Sequence, residues 1–186
     1  MSSISVTDPY SRVNVVQSFL TKIRPQYRNG GRQQVPATIV TERGAVIVVA
    51  NESASDASYR DWLFKTSQQS VWAHYSEEWI PDSAKPNEWL LKHSVLHLYA
   101  VHSPRSRDEI FAIHCEPGHK GESIIDVCKR GPHVHATAGD SRLAHAHIPL
   151  QLMDSDRVLS SPDALTRFIE CAMDVLDAEV IPRFAN

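Results

Sequence analysis

The chain has 186 residues, 42% of them hydrophobic and 22% charged. Those proportions suit a soluble globular protein and exclude collagen, a coiled coil and wholesale disorder. The formal net charge is −3, so no global basic field advertises nucleic acid or a membrane surface; the feature that stands out is a set of 10 histidines.

A chain of this length is expected to build one domain around one core, here residues 9–186. Residues 1–8 have neither a basic start nor an apolar run, which reads as a flexible end and not as a secretory signal. The three cysteines, Cys115, Cys128 and Cys171, give no disulfide framework. No stretch approaches about 18 consecutive apolar residues, so no bilayer span is expected. The expectation is a cytoplasmic protein with reduced thiols.

In chain order, Asp8-Pro9 reads as a helix cap followed by proline at the first helical position. Val13, Val16, Leu20 and Ile23 follow at helical spacing, and Arg24-Pro25 stops the run, which predicts a helix over 9–24. Ala37–Thr41 and Ala45–Ala50 are β-branched runs around Glu42-Arg43-Gly44, a tight hairpin whose second strand belongs inside a sheet. Between 51 and 92 the pattern suggests short helices at Tyr59–Lys65 and Ser70–Trp79. Val95–Val101 and Ile110–Cys115 are strand-like and flank a six-residue turn at 103–108. His133–Ala138 and Leu143–Leu150 are strand-like around Gly139-Asp140-Ser141. Ser161-Pro162-Asp163 caps a last helix carrying Leu165, Phe168, Ile169, Ala172, Leu176 and Val180, ended by Pro182. The class is α+β: an antiparallel sheet with helices packed on one face and helices flanking at the N- and C-terminal ends.

Nine of the ten histidines lie between 93 and 147, so any imidazole chemistry belongs to the second half of the sheet. Four form two His-x-His pairs, His133-Val134-His135 and His145-Ala146-His147. Side chains alternate across a strand, so each pair presents both rings to one side. A three-residue loop at 139–141 sets His135 opposite His145 and His133 opposite His147, whereas a two-residue loop sends the pairs to opposite faces. The six-residue turn at 103–108 similarly sets His97 opposite His114. Neutral imidazole is the commonest transition-metal ligand, and a nearby Asp140, Glu116 or Glu122 could serve as another ligand or orient a ring.

Cys115 to His119 and Cys128 to His133 have spacings like fragments of a structural zinc site, without paired knuckles. A nucleophilic Cys115 beside His114 is opposed by the alternation of neighbouring strand residues. Cys171 is expected in the core. Trp62, Trp72, Trp79 and Trp89 divide between core and interface anchors.

Gly131-Pro132-His133-Val134-His135 resembles the histidine–hydrophobic–histidine signature of the HUH endonucleases. The resemblance covers five residues. It implies a divalent metal on His133 and His135, with His114 or His147 as a third ligand and a tyrosine nucleophile acting on DNA. Tyr27, among Lys22, Arg24, Arg28 and Arg32, is the best candidate for that role. No tyrosine stands at a matching position, the second His-x-His is foreign to the pattern and the chain is acidic. Cupins also carry His-x-His, but the glutamate expected shortly after the pair is missing.

Two functions are therefore expected. The first is a metal-dependent hydrolase, such as a phosphodiesterase or nuclease, with zinc or manganese on His133, His135, His145, His147 and His114, and with Asp140 or Glu116 supporting the ion or moving protons. The alternative is a non-catalytic subunit that docks a partner protein through histidine- and tryptophan-rich surfaces. A histidine-driven pH switch is a third possibility.

Overall fold

The computed structural model describes residues 4–25, 31, 33–52, 58–103, 106–117, 131–136, 146–149 and 160–184, with the backbone alone described at 131, 132, 135, 136 and 146–149. These residues form nine strands: β1 (Ser5–Val6), β2 (Ala37–Glu42), β3 (Ala45–Ala50), β4 (Phe64–Lys65), β5 (Val71–Pro81), β6 (Trp89–Ser103), β7 (Ser106–Glu116), β8 (Gly131–Ala136) and β9 (Ala146–Pro149). They make one antiparallel sheet in the order β2-β3-β5-β6-β7-β8-β9. β4 pairs with β5 beyond the end of β3, and β1 pairs with β6 beyond the end of β7. Two α-helices flank the sheet, α1 (Arg12–Leu20) and α2 (Pro162–Val175). The class is α+β, as the sequence predicts.

Local chemistry explains the ends of these elements. Asp8 accepts the Tyr10 N–H at 3.0 Å, Pro9 opens a 3-10 turn, and α1 continues from it. A second 3-10 turn, Thr21–Ile23, closes the segment where Arg24 becomes extended ahead of Pro25. Ser161 accepts the Ala164 N–H at 3.1 Å and caps α2. The β2–β3 hairpin turns through Arg43 and Gly44 at φ 51° and 82°, the left-handed pair that a two-residue turn requires. Gly44→Ala is expected to cost roughly 1–2 kcal/mol, because a Cβ in that conformation crowds the following carbonyl. Urea titration checks this, and an unchanged midpoint would mean the turn relaxes freely.

Two expectations about the elements need correction. The segment Tyr59–Lys65 holds only a 3-10 turn, Tyr59–Asp61, and the short β4. Ser70–Trp79 is not a helix: Val71–Pro81 is the eleven-residue strand β5 in the middle of the sheet. Both sides of β5 are largely buried, so its sequence lacks the polar alternation of a half-exposed strand. At the start of the chain, Ile4 is buried and Ser5 and Val6 pair with Leu90 and Trp89, so the chain is tied to the sheet from Ile4 onward.

The core lies between the helices and one sheet face. Alternate residues of β5 (Val71, Ala73, Tyr75, Glu77 and Trp79) lie on this side and are fully buried. Leu91, Leu96, Leu98, Ile113 and Cys115 join them from β6 and β7, with Val16, Phe19, Leu165, Ile169 and Met173 from the helices. One acid sits within this apolar layer. Glu77 accepts from Arg12 Nη2 at 2.7 Å and Nε at 2.9 Å, from the Tyr75 hydroxyl at 2.8 Å and from Trp79 Nε1 at 3.1 Å. Each carboxylate oxygen thus takes two donors, and α1 is bolted to β5. Cys171, expected in the core, lies instead on the exposed side of α2.

Candidate functional site

The opposite face of the sheet carries a row of imidazoles. His74 on β5 is the cross-strand partner of His97 on β6, and His114 on β7 is the partner of His133 on β8. Between β6 and β7 the register pairs His97 with Ala112 and Val95 with His114, so these two rings meet on the diagonal. Successive ring centroids along the row are 6.3, 4.9 and 5.5 Å apart. The segment around Tyr59–Asp61 is fastened to this side: the Trp62 carbonyl accepts from His74 Nδ1 at 2.8 Å, and Asp61 accepts from Arg107 at 2.8 Å.

Within the row, His114, Glu116 and His133 each offer one ligand atom, and these atoms all lie within 4.8 Å of one another. The strands explain the convergence. His114 and Glu116 are two apart on β7 and share a face, and β8 brings His133 directly across from His114. His133 is fully buried, whereas the Glu116 side chain is 39% exposed, so solvent reaches the group from the glutamate side. His114 Nδ1 stands 3.8 Å from Glu116 Oε1.

The electrostatics suit cation binding. Burial pushes the His114 imidazole below its ordinary pKa, which favours the neutral ring that a metal needs. Glu116 is held below the usual carboxylate range by His114 first, against burial, and then by His133 and His93. It is therefore an anion among imidazoles. His93, lowered chiefly by burial, faces Glu78 at 3.4 Å on the same side of the sheet.

A second set of contacts leads away from His114. Its Nε2 lies 2.8 Å from His97 Nε2. His97 Nδ1 in turn lies 2.9 Å from Glu109 Oε2 and 2.9 Å from the Tyr99 hydroxyl. A β-bulge makes this possible. Leu98 pairs with Phe111 but Tyr99 pairs with Glu109, so Ile110 is the extra residue and Glu109 lands on the histidine side.

The structure brings together His114, His133 and Glu116 from the predicted set. His135 and His147 are cross-strand partners, and His133 pairs with Pro149. The predicted pairings of His135 with His145 and His133 with His147 are therefore off by two residues, because Ala136 already pairs with Ala146 and the connection spans 137–145. The predicted pairing of His97 with His114 is also off by two, since the hairpin closes at Ser103 and Ser106 and not around a six-residue turn. His145, Asp140, Tyr27, His119, Glu122 and Cys128 lie outside the described residues.

Cys115 is buried on the helix-facing side, where burial pushes its thiol well up, so it forms no nucleophilic pair with His114. Sequence reasoning brought His97 near His114 but missed Glu109 and Tyr99 beside it. The available signal for Tyr99 was the His97-x-Tyr99 spacing along β6, which repeats the two-residue period of His133-x-His135; Glu109 had none, because only the bulge brings it to this face. Comparison of the chain with protein-family models, curated proteins and solved structures gave no match.

Proposed function

We propose that the chain is a metal-dependent hydrolase acting on an ester such as a phosphodiester, with His114, Glu116 and His133 as the protein ligands of the ion. The observation that supports this reading is the convergence of two imidazoles and one carboxylate from neighbouring strands. Two histidines and a glutamate form the donor set of many catalytic zinc sites and leave positions open for water and substrate. An ion held there supplies Lewis acidity and water activation near neutral pH. Glu116, anionic and partly exposed, is placed to accept a proton at the site's edge. His135 and His147, paired with each other next to His133, are further candidates for the metal environment.

The same donor set serves mononuclear iron oxygenases, so ferrous iron belongs in the titrations beside zinc and manganese. The scaffold alternative has lost part of its motivation. Trp79 is buried in the core, and Trp62, Trp72 and Trp89 are half-buried, so no tryptophan projects freely as an interface anchor.

Metal analysis of purified protein is expected to find roughly one equivalent of a transition metal after loading. A content below about a tenth of an equivalent in soluble protein would rule out a tight site. Zinc at a hundred times its dissociation constant should raise the unfolding free energy by about 2.7 kcal/mol, and His133→Ala should abolish the gain. Hydrolysis of a bis-nitrophenyl phosphate that is lost with a chelator, restored by the ion and absent in Glu116→Gln would support the enzyme. Metal uptake without turnover of phosphodiesters or carboxyl esters would overturn it.

A further inference from the structure

We infer that the chain carries a second cation site, separate from the first, in which His97 Nδ1, Glu109 Oε2 and the Tyr99 hydroxyl hold a hard ion such as ferric iron. It does not need an ion at His114, Glu116 and His133.

Three ligand atoms of different chemistry meet around one ring nitrogen. His97 Nδ1 lies 2.9 Å from Glu109 Oε2 and 2.9 Å from the Tyr99 hydroxyl. Two ligands at about 2.1 Å from a six-coordinate ion, set at right angles, stand about 3.0 Å apart, so these separations suit neighbouring ligands of one ion. Burial, and then the charge of Glu109, pushes the Tyr99 phenol up to about 12, so the carboxylate acts on the phenol as well as on the imidazole. The His97 and Glu109 side chains are 19% and 18% exposed, which gives an ion a way in and water a place on its remaining positions.

The backbone makes the arrangement. His97 and Tyr99 are two apart on β6 and share a face. An unbroken ladder would set Ile110 opposite Tyr99, and the bulge puts Glu109 there instead. Bulges commonly re-aim a side chain beside a functional site, and this one delivers a carboxylate to an imidazole and a phenol. The neighbouring cation is already matched: Arg107 lies over the Tyr99 ring at 4.9 Å, and Asp61 pairs with it at 2.8 Å. Carboxylate, phenolate and imidazole together bring two negative charges, and such an oxygen-rich set favours a hard ion over a soft one. On binding, the phenol O–H bond breaks, its proton leaves to solvent and an iron–oxygen bond forms, with no change in the oxidation state of the iron.

Ferric iron, supplied as its nitrilotriacetate complex and titrated into the full chain, tests this by absorption. The expected result is a visible phenolate-to-iron charge-transfer band that saturates, is absent in Tyr99→Phe and is retained in Glu116→Gln, which removes a ligand of the first site. Glu109→Gln should weaken the binding behind that band at least about tenfold. No band in the wild-type chain, a band that survives Tyr99→Phe, or an unchanged affinity in Glu109→Gln would overturn the inference. Loss of the band in Glu116→Gln would move the iron to the first site and equally defeat it. Should Tyr99→Phe not fold by circular dichroism, His97→Gln takes its place, and an unchanged affinity there is the overturning result. A band in a chain that takes up no zinc leaves this site standing and removes the hydrolase reading; zinc uptake without a band does the reverse.

Discussion

Replacing Glu77 with alanine is expected to remove roughly 3–5 kcal/mol of stability, the cost of stranding a charge that its partner had neutralised in the interior. Arg12 is 4% exposed and Glu77 is 0% exposed, so water cannot take over either role without a change in packing. Among the described residues, the alanine leaves the guanidinium with the Thr166 hydroxyl, at 3.2 Å, as its one remaining hydrogen-bond partner. It also leaves the Trp79 N–H without its acceptor, and the Tyr75 hydroxyl keeps only the hydrogen bond from Ser94. Denaturant titration at neutral pH measures the loss. A double variant, Arg12→Met with Glu77→Leu, should lose less than Glu77→Ala, since it removes both charges and fills the space. A loss below about 1 kcal/mol in Glu77→Ala would mean that water replaces the carboxylate, and the anchoring of α1 to β5 would lie elsewhere.

Stability is also expected to fall as the pH drops from about 6.5 to about 4, by up to roughly 3 kcal/mol from His74 alone. The Trp62 carbonyl can only accept, so His74 Nδ1 donates to it, and Nε2 accepts from the Ser76 hydroxyl at 3.3 Å. Burial then lowers the imidazole to about 4, with the Trp62 hydrogen bond opposing. Below pH 6.5 the unfolded chain takes up a proton that the folded chain refuses, so protons favour unfolding until both states are charged. His114 and His93 are lowered as well and act in the same direction. Glu116, whose carboxyl is also lowered, adds a further loss as the pH falls through the carboxylate range. His74→Asn keeps a donor for Trp62 and removes the titration. Its stability should therefore be flatter with pH by about one proton. An equal slope in the variant would assign the proton uptake to other groups.

The sequence carried the faces of the sheet more faithfully than its pairings. His97 against His114, and His135 against His145, are each displaced by two residues in the observed ladders. A two-residue slip keeps every side chain on its side, whereas a slip of one would have scattered the row. Face is set by alternation, which is local and visible. Register is set by turn length and bulges, which are not; Ile110 looks like any strand residue until its neighbours pair. β5 was illegible for another reason. It is covered on both sides, and its acid, Glu77, is matched by an arginine 65 residues away. No window along the chain contains both. The two helices, by contrast, announce themselves through Asp8-Pro9 and Ser161-Pro162, because a cap is a contact between near neighbours.

The sheet works as a partition. The main apolar core and the helices belong to one side of it, and His97, Glu109, His114 and Glu116 project from the other. Exchanges among those four rewrite what can be held at the surface while leaving the interior's jigsaw as it is.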